Sequence, residues 1–330
     1  MKSTLRLGVI GAGSWGINHV RVVSTERGCE LAAVADPESS AANRARTLAP
    51  DARICADADE LIADPRLDAI VIASPAPTHA ALAVAALRAG KHVLVEKPVA
   101  LNVVDAHRVA EAAHASDRIG MVGHLMVFHP MVVHLRDRVR AGDLGPIRCL
   151  YSTRLNSGRI RRDESVLWSF GPHDFSMLDF LMEKLPHSVI ARGQCVIRPG
   201  VADIVFAELR YTSGELAHVQ LSWLSPRKER RLTVVGDTLV AELDDLAGEK
   251  LRLSPTAPTP DAATRTRAFE VPQIVMDEPL RVQLRHFLDC IEARRQPVTD
   301  LASALRVTRV LEAVQRSVFE DGAMVEIPAN

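Results

Sequence analysis

The segment LRLGVI, running directly into Gly11-Ala12-Gly13-Ser14-Trp15-Gly16, constrains this chain more than any other feature. A short apolar strand meets G-x-G-x-x-G, a helix-like stretch follows, and a second apolar run, ELAAVAD, ends in Asp36 about 20 residues past the last glycine. Gly11 allows the tight turn, Gly13 the close approach of a pyrophosphate, and Gly16 the packing of helix on strand. The phosphates are expected at the helix N-terminus, where unpaired N–H groups and the macrodipole favour anions. A carboxylate at position 36 accepts hydrogen bonds from ribose hydroxyls and repels a 2′-phosphate, and Pro37-Glu38-Ser39-Ser40 supply no arginine to offset that repulsion. The spacing therefore predicts NAD as cofactor, held by Gly11, Gly13, Ser14, Trp15, Gly16 and Asp36.

The same rhythm continues to residue 123. Apolar runs at 5–10, 30–36, 52–55, 68–74, 92–96 and 118–123 alternate with helix-period stretches near 15–24, 38–48, 57–63, 78–89 and 102–115. Near-continuous apolar strands separated by helices indicate a parallel sheet covered on both faces, which the crossover rule makes doubly wound. After residue 124 the runs at 147–155, 187–197, 202–211, 214–224 and 230–236 are longer and often alternate, an antiparallel pattern. In 214–224, Glu215, Ala217, Val219, Leu221 and Trp223 share one face, with Leu216, His218, Gln220 and Ser222 on the other. A Pro- and Thr-rich loop at 254–265 precedes helices near 277–294 and 301–319. The expected architecture is α/β: a Rossmann domain over 1–123, then an α/β domain over 124–330 on a large, open, mainly antiparallel sheet.

With 330 residues, 25% charged residues and a formal net charge of -1, the chain has room for two cores and lacks the basic footprint of a nucleic-acid binder. The five cysteines are scattered and contain no C-x-x-C pair, which suits free thiols in a reducing cytoplasm. No signal-peptide pattern opens the chain, and no apolar run reaches the length of a membrane span. The expected partner is a small molecule, not nucleic acid or a membrane.

In a doubly wound sheet, ligands lie beyond the carboxyl ends of the strands. The fourth strand ends in Ser74-Pro75-Ala76-Pro77-Thr78-His79 and the fifth in Glu96-Lys97-Pro98, so Ser74, Pro75, His79, Glu96 and Lys97 are expected beside the cofactor. The ordered set GVIGAGSWG, VADP, IVIASPAPTH, AGKHVLVEKP and VGHLMVFHP resembles the Gfo/Idh/MocA oxidoreductase family over essentially the whole chain. The resemblance implies NAD(P)-dependent oxidation or reduction of a carbinol on a sugar, inositol or related compound, with the open sheet forming a homodimer or homotetramer interface. It also implies that Lys97 sits by the substrate hydroxyl and the nicotinamide, with a cis peptide before Pro98. An ammonium there stabilises developing alkoxide character.

His173, in VLWSFGPHDF, matches the family's second acid/base residue, and Trp168 and Asp174 are expected near the substrate with it. A carboxylate often found four residues before that histidine is Ser169 here, and one often found three residues after it is Ser176. Asp174 then either orients His173 or caps the helix. His124, His129 and His134 fall on different faces of a helix, so no metal site is expected; His124 is assigned to substrate binding.

Arg159, Arg161 and Arg162 suit an anionic ligand, or else a solvated loop paired with Asp163 and Glu164. RIRRDESVLWSFGPHD and SWLSPRKERRLTVVGD resemble the nucleotide-sugar branch of the family, implying oxidation of the 3-hydroxyl of UDP-N-acetylglucosamine, or of its 6-carboxylate, to a 3-keto sugar for amino-sugar and lipopolysaccharide synthesis. An NADPH-dependent ketosugar reductase, a free inositol or sugar dehydrogenase, and a non-catalytic NAD-sensing regulator stay open beside it.

Overall fold

The computed structural model describes residues 4–157, 160, 164–256 and 269–328. They form two compact units, one of residues 1–128 with 277–308, the other of 129–276 with 309–330.

In the first unit, β1 (Leu5–Ile10), β2 (Cys29–Ala35), β3 (Arg53–Cys55), β4 (Ala69–Ile72), β5 (His92–Glu96) and β6 (Gly120–Gly123) form a parallel sheet in the order β3-β2-β1-β4-β5-β6. Every residue of β4 and β6 is buried, as two covered faces require. The connecting helices are α1 (Gly16–Thr25), α2 (Ser39–Leu48), α3 (Ala58–Ile62), α4 (Ala76–Arg88) and α5 (Val103–Ser116). Short polar residues start three of them. The Glu38 carboxylate accepts the N–H groups of Ser40 and Ala41, Asp57 that of Asp59, and Asn102 that of Asp105. Alanines let α4 and α5 approach closely: Ala83, Ala86, Ala106 and Ala112 share one core with Ile70, Ile72, Val93 and Val95. The strand order reverses between β1 and β4, which puts the crevice of a doubly wound sheet at their carboxyl ends.

The second domain, expected to run unbroken over 124–330, is interrupted: residues 277–308 group with the first unit. Helix α8 (Pro279–Ala293) belongs to the first unit, where Arg281 and Arg285 donate to the Glu26 carboxylate at the end of α1 at 2.8 and 3.1 Å. Farther on, the backbones of Val122 and Thr299 pair at 2.9 Å, and Thr299 Oγ1 donates to Val122 O at 2.7 Å. This segment covers β6, an edge strand whose unpaired ladder groups would otherwise be open.

The second unit carries α6 (Pro130–Arg140), α7 (Val166–Met182) and an eight-stranded sheet among the described residues. Its strands are β7 (Ile147–Ser157), β8 (Ser188–Gln194), β9 (Ile204–Arg210), β10 (Leu216–Ser222), β11 (Leu224–Gly236), β12 (Leu239–Asp244), β13 (Leu251–Pro255) and β14 (Val325–Glu326), ordered β13-β12-β11-β7-β10-β9-β8-β14. All neighbours are antiparallel except β7 and β10. The alternation read in 214–224 holds, with Ala217, Val219, Leu221 and Trp223 buried. Tyr151, Ile190 and Phe206 are exposed on the opposite face. Strands β12, β13 and β14 were not anticipated from sequence, and the helix expected to carry His124, His129 and His134 holds only His134: α6 starts at Pro130 with His129 as its N-cap. Helix α9 (Leu301–Phe319) passes from one unit into the other.

Candidate active site

The glycine loop has the geometry its motif requires. Gly11 has φ 91°, a left-handed conformation, and a Cβ there would lie 2.7 Å from the backbone of Ala73 and Ser74. A Cβ on Gly16 would lie 2.0 Å from the Gly11 carbonyl oxygen, whereas a Cβ on Gly13 meets nothing within 4 Å. The loop is thus clamped between β1, β4 and α1 at two glycines and open at the third, which leaves room for close approach of a ligand to the backbone.

Asp36 closes this part of the site. One carboxylate oxygen accepts Ala12 N–H at 2.6 Å and the other accepts Glu38 N–H at 2.9 Å. Each oxygen keeps a lone pair for a ribose hydroxyl. Glu38, held ionised by hydrogen bonds from the Ser40 hydroxyl and backbone, adds a second negative charge two residues on. Two carboxylates at the end of β2 fit a ribose diol and oppose a 2′-phosphate.

At the end of β5, Glu96 is 6% exposed and gathers three donors. Its Oε1 accepts the Trp15 indole N–H at 2.7 Å and faces His19 Nε2 at 2.8 Å, and its Oε2 accepts Lys97 N–H at 3.2 Å. Burial pushes the Glu96 pKa up, but hydrogen bonds from His19 and Trp15 and the charge of Lys97 outweigh it, so the carboxyl stays below its ordinary value. Glu96 therefore ties the glycine loop and α1 to the lysine loop through internal partners. His19 was not anticipated; a histidine beside Val20 and Val23 on the buried face of α1 was its signal.

Lys97 is half-buried, and the Lys97–Pro98 peptide is cis. The expected cofactor contact of His79 is corrected by the geometry: Nδ1 lies 2.8 Å from Pro98 O and Nε2 2.8 Å from Ser74 O, so both nitrogens are occupied by backbone carbonyls. His79 joins the β4 loop to the lysine loop instead. Ser74 Oγ pairs with Thr78 Oγ1 at 2.7 Å, and Pro75 is the N-cap of α4.

In the second unit His173 lies in α7 and is half-buried. Two neighbours expected at the substrate face inward instead. Asp174 is 1% exposed; its Oδ2 accepts Arg154 Nε–H at 2.6 Å and its Oδ1 accepts the Ser152 hydroxyl at 2.7 Å. It locks α7 onto β7 and does not orient His173. Trp168 is buried, with its indole N–H donating to Gln315 Oε1. Ser176 donates to the carbonyl of His173 at 3.0 Å. Arg159, Arg161 and Arg162 lie outside the described residues.

His124 follows β6, His129 caps α6 and accepts Met131 N–H, and His134 lies within α6. Among the described residues no three His, Cys, Asp or Glu side chains are grouped to hold a metal ion. No described helix is long and apolar enough to cross a membrane. A cavity of about 1120 Å³ lies at the amino end of the first sheet, lined by His92, Arg118, Asp289 and Arg294 among others. Its charges are mixed and it opens at the edge opposite the carboxyl ends, so the glycine loop and Lys97 define the site.

A parallel sheet with a glycine loop after β1, a carboxylate after β2 and a lysine after β5 has the layout of a dinucleotide-dependent oxidoreductase. The chain belongs to the Gfo/Idh/MocA family: residues 5–124 match the oxidoreductase family with an NAD-binding Rossmann fold, and residues 132–242 match the GFO/IDH/MocA C-terminal domain. NAD is its cofactor. The chain is similar to an inositol 2-dehydrogenase of Acidothermus cellulolyticus, 32% identical over 227 residues, 66% of each chain. It is also similar to the scyllo-inositol 2-dehydrogenase (NAD(+)) of Bacillus subtilis, 24% identical, with 99% of this chain and 97% of the relative covered. Among solved structures, UDP-N-acetylglucosamine 3-dehydrogenase from Acidithiobacillus ferrooxidans superposes with a TM-score of 0.84 at 26% identity, covering 95% of this chain and 97% of that one.

Proposed function

We propose that the protein oxidises a secondary ring hydroxyl of a cyclic polyol or sugar with NAD. The observation that carries this reading is Lys97 at the carboxyl end of β5, its backbone N–H held by Glu96 and its loop held by His79. Bound NAD supplies the hydride acceptor. Lys97 stabilises the negative charge that develops on the substrate oxygen as the hydride leaves, and His173 serves as the second acid/base group, an imidazole having one nitrogen that can take a proton and one that can give it. Ser169, one helical turn before His173, supplies no carboxylate at that position. The inositol dehydrogenases among the relatives favour a free cyclitol or sugar as substrate.

A second reading, a UDP-linked N-acetylhexosamine oxidised at its 3-hydroxyl, draws support from the UDP-N-acetylglucosamine 3-dehydrogenase likeness over 95% of the chain and from the arginines at 159, 161 and 162. The open sheet, with Tyr151, Ile190 and Phe206 exposed, supports a homodimer or homotetramer. Incubation with NAD⁺ and myo-inositol, scyllo-inositol, glucose, UDP-N-acetylglucosamine or its 6-carboxylate, followed by nicotinamide absorbance and product mass, tests both. NADH formed with one class assigns the substrate; no NADH with any member overturns the dehydrogenase reading.

A further inference from the structure

His124 stands immediately after Gly123, the residue of β6 that pairs with Glu96 across the parallel ladder. Its backbone is fixed on both sides, its N–H bonded to Val122 O at 2.8 Å and its carbonyl accepting Val127 N–H at 3.0 Å in the 3-10 turn Leu125–Phe128. The residue is 3% exposed, and neither of its buried ring nitrogens has a hydrogen-bond partner. Buried polar atoms in folded proteins are nearly always paired, so an enclosed ring with two unpaired nitrogens on a fixed backbone calls for a partner from outside the chain, one that displaces the side chains closing over it.

The chemistry of the ring narrows that partner. Burial lowers the His124 pKa to about 4, the charge of Glu96 opposing the shift and that of Lys97 adding to it. The ring is therefore neutral near pH 7, with one N–H to give and one lone pair to receive. A phosphate or carboxylate has only acceptors and would leave the lone pair facing like charge density. Hydroxyl groups both give and accept, and match both positions. Location agrees: Asp36 ends β2 on one side of the β1/β4 switch point, and β5 and β6 lie on the other, the half of the crevice that takes the nicotinamide and what reacts with it.

We infer that His124 is a substrate-hydroxyl ligand, giving one hydrogen bond to and taking one from hydroxyl groups that neighbour the carbinol at Lys97. The inference rests on the dehydrogenase reading above and deepens it: the recognised part of the substrate is an uncharged polyol face, whether that face belongs to a free cyclitol or to the sugar of a nucleotide.

The test compares wild type, His124→Phe and His124→Asn in steady-state oxidation of myo-inositol and of UDP-N-acetylglucosamine, each beside an analogue lacking a hydroxyl next to the carbinol. With whichever parent compound wild type oxidises, His124→Phe lowers kcat/KM about 10- to 100-fold and His124→Asn retains more, while the Kd for NAD⁺ stays within about two-fold. Wild type discriminates against the deoxy analogue about 10-fold or more, and in His124→Phe that ratio falls close to one. The folding of either variant is read from its NAD⁺ affinity, and His124→Asn keeps the comparison available where the ring-to-ring exchange does not fold. Wild-type kcat/KM in a folded His124→Phe, or an equal loss on parent and deoxy analogue, overturns the inference. If wild type oxidises none of the compounds, the dehydrogenase reading falls and this inference falls with it; an active wild type with an indifferent His124→Phe removes the inference alone.

Discussion

Replacing Glu96 with glutamine tests whether the glycine loop and the lysine loop are coupled through one buried carboxylate. The amide keeps a single acceptor. Placed at Oε1 it retains Trp15 and His19, which stand at 2.7 and 2.8 Å, but its NH₂ then points at Lys97 N–H, donor against donor. A hydrogen bond to a charged acceptor contributes about 1.5–3 kcal/mol and a neutral one about 0.5–1.5, so two weakened bonds and one lost bond amount to roughly 3.5–6 kcal/mol. For a unit of this size each kcal/mol moves Tm by about 2–4 °C, and Glu96→Gln should melt roughly 7–24 °C below wild type at pH 7. The pH dependence has a definite sign. Because the folded-state pKa of Glu96 is depressed, its stabilisation is present above the ordinary carboxylate value and is lost as pH falls through the folded value. The gap between wild type and Glu96→Gln in thermal melts should therefore be full at pH 6–7 and shrink as the buffer is taken down through the carboxylate range. In a double-mutant cycle with Trp15→Phe, the two substitutions should be non-additive by about 1 kcal/mol or more. A Glu96→Gln protein melting within about a degree of wild type, or a gap that does not narrow on acidification, would refute the coupling.

Two other substitutions probe separate parts of the molecule. Asp36→Asn keeps an acceptor for Ala12 N–H but removes a charge from the end of β2; it should weaken NAD⁺ binding and reduce the preference for NAD⁺ over NADP⁺, measured as the ratio of the two dissociation constants, and an unchanged ratio would take Asp36 off the ribose. Asp174→Asn leaves the Arg154 guanidinium buried beside a neutral amide and should cost about 3–5 kcal/mol in chemical denaturation, most of it recovered by Arg154→Met combined with Asp174→Leu; a loss below about 1 kcal/mol would mean that the pair does not hold α7 to β7.

What the sequence revealed was what local pattern encodes. The glycine loop, Asp36 and the six parallel strands each declare themselves within about 25 residues, through spacing and apolar runs. The assignment of α8 to the first unit depends on Arg281 and Arg285 meeting Glu26, more than two hundred residues earlier in the chain, and no local period reports that. Trp168 and Asp174 were read as substrate-facing because they flank His173, yet on α7 adjacent residues point in different directions, and both turn inward to α9 and β7. A signal for Arg154 was present: Leu150, Ser152 and Arg154 share the buried face of β7, and an arginine on such a face needs a buried carboxylate. His79 was placed at the right loop and given the wrong partner, and the internal partners of Glu96 went unread, because motif position identifies a neighbourhood and not which atoms in it are already paired.

The central claim is that Lys97 acts on the substrate oxygen and not on cofactor binding. Steady-state turnover and NAD⁺ affinity of Lys97→Ala, measured with whichever compound of the polyol and nucleotide-sugar panel the wild type oxidises, test it most directly. Turnover is predicted to fall at least about 100-fold with the Kd for NAD⁺ within about two-fold of wild type, whereas a variant retaining more than about a tenth of the wild-type rate would contradict the role given to Lys97.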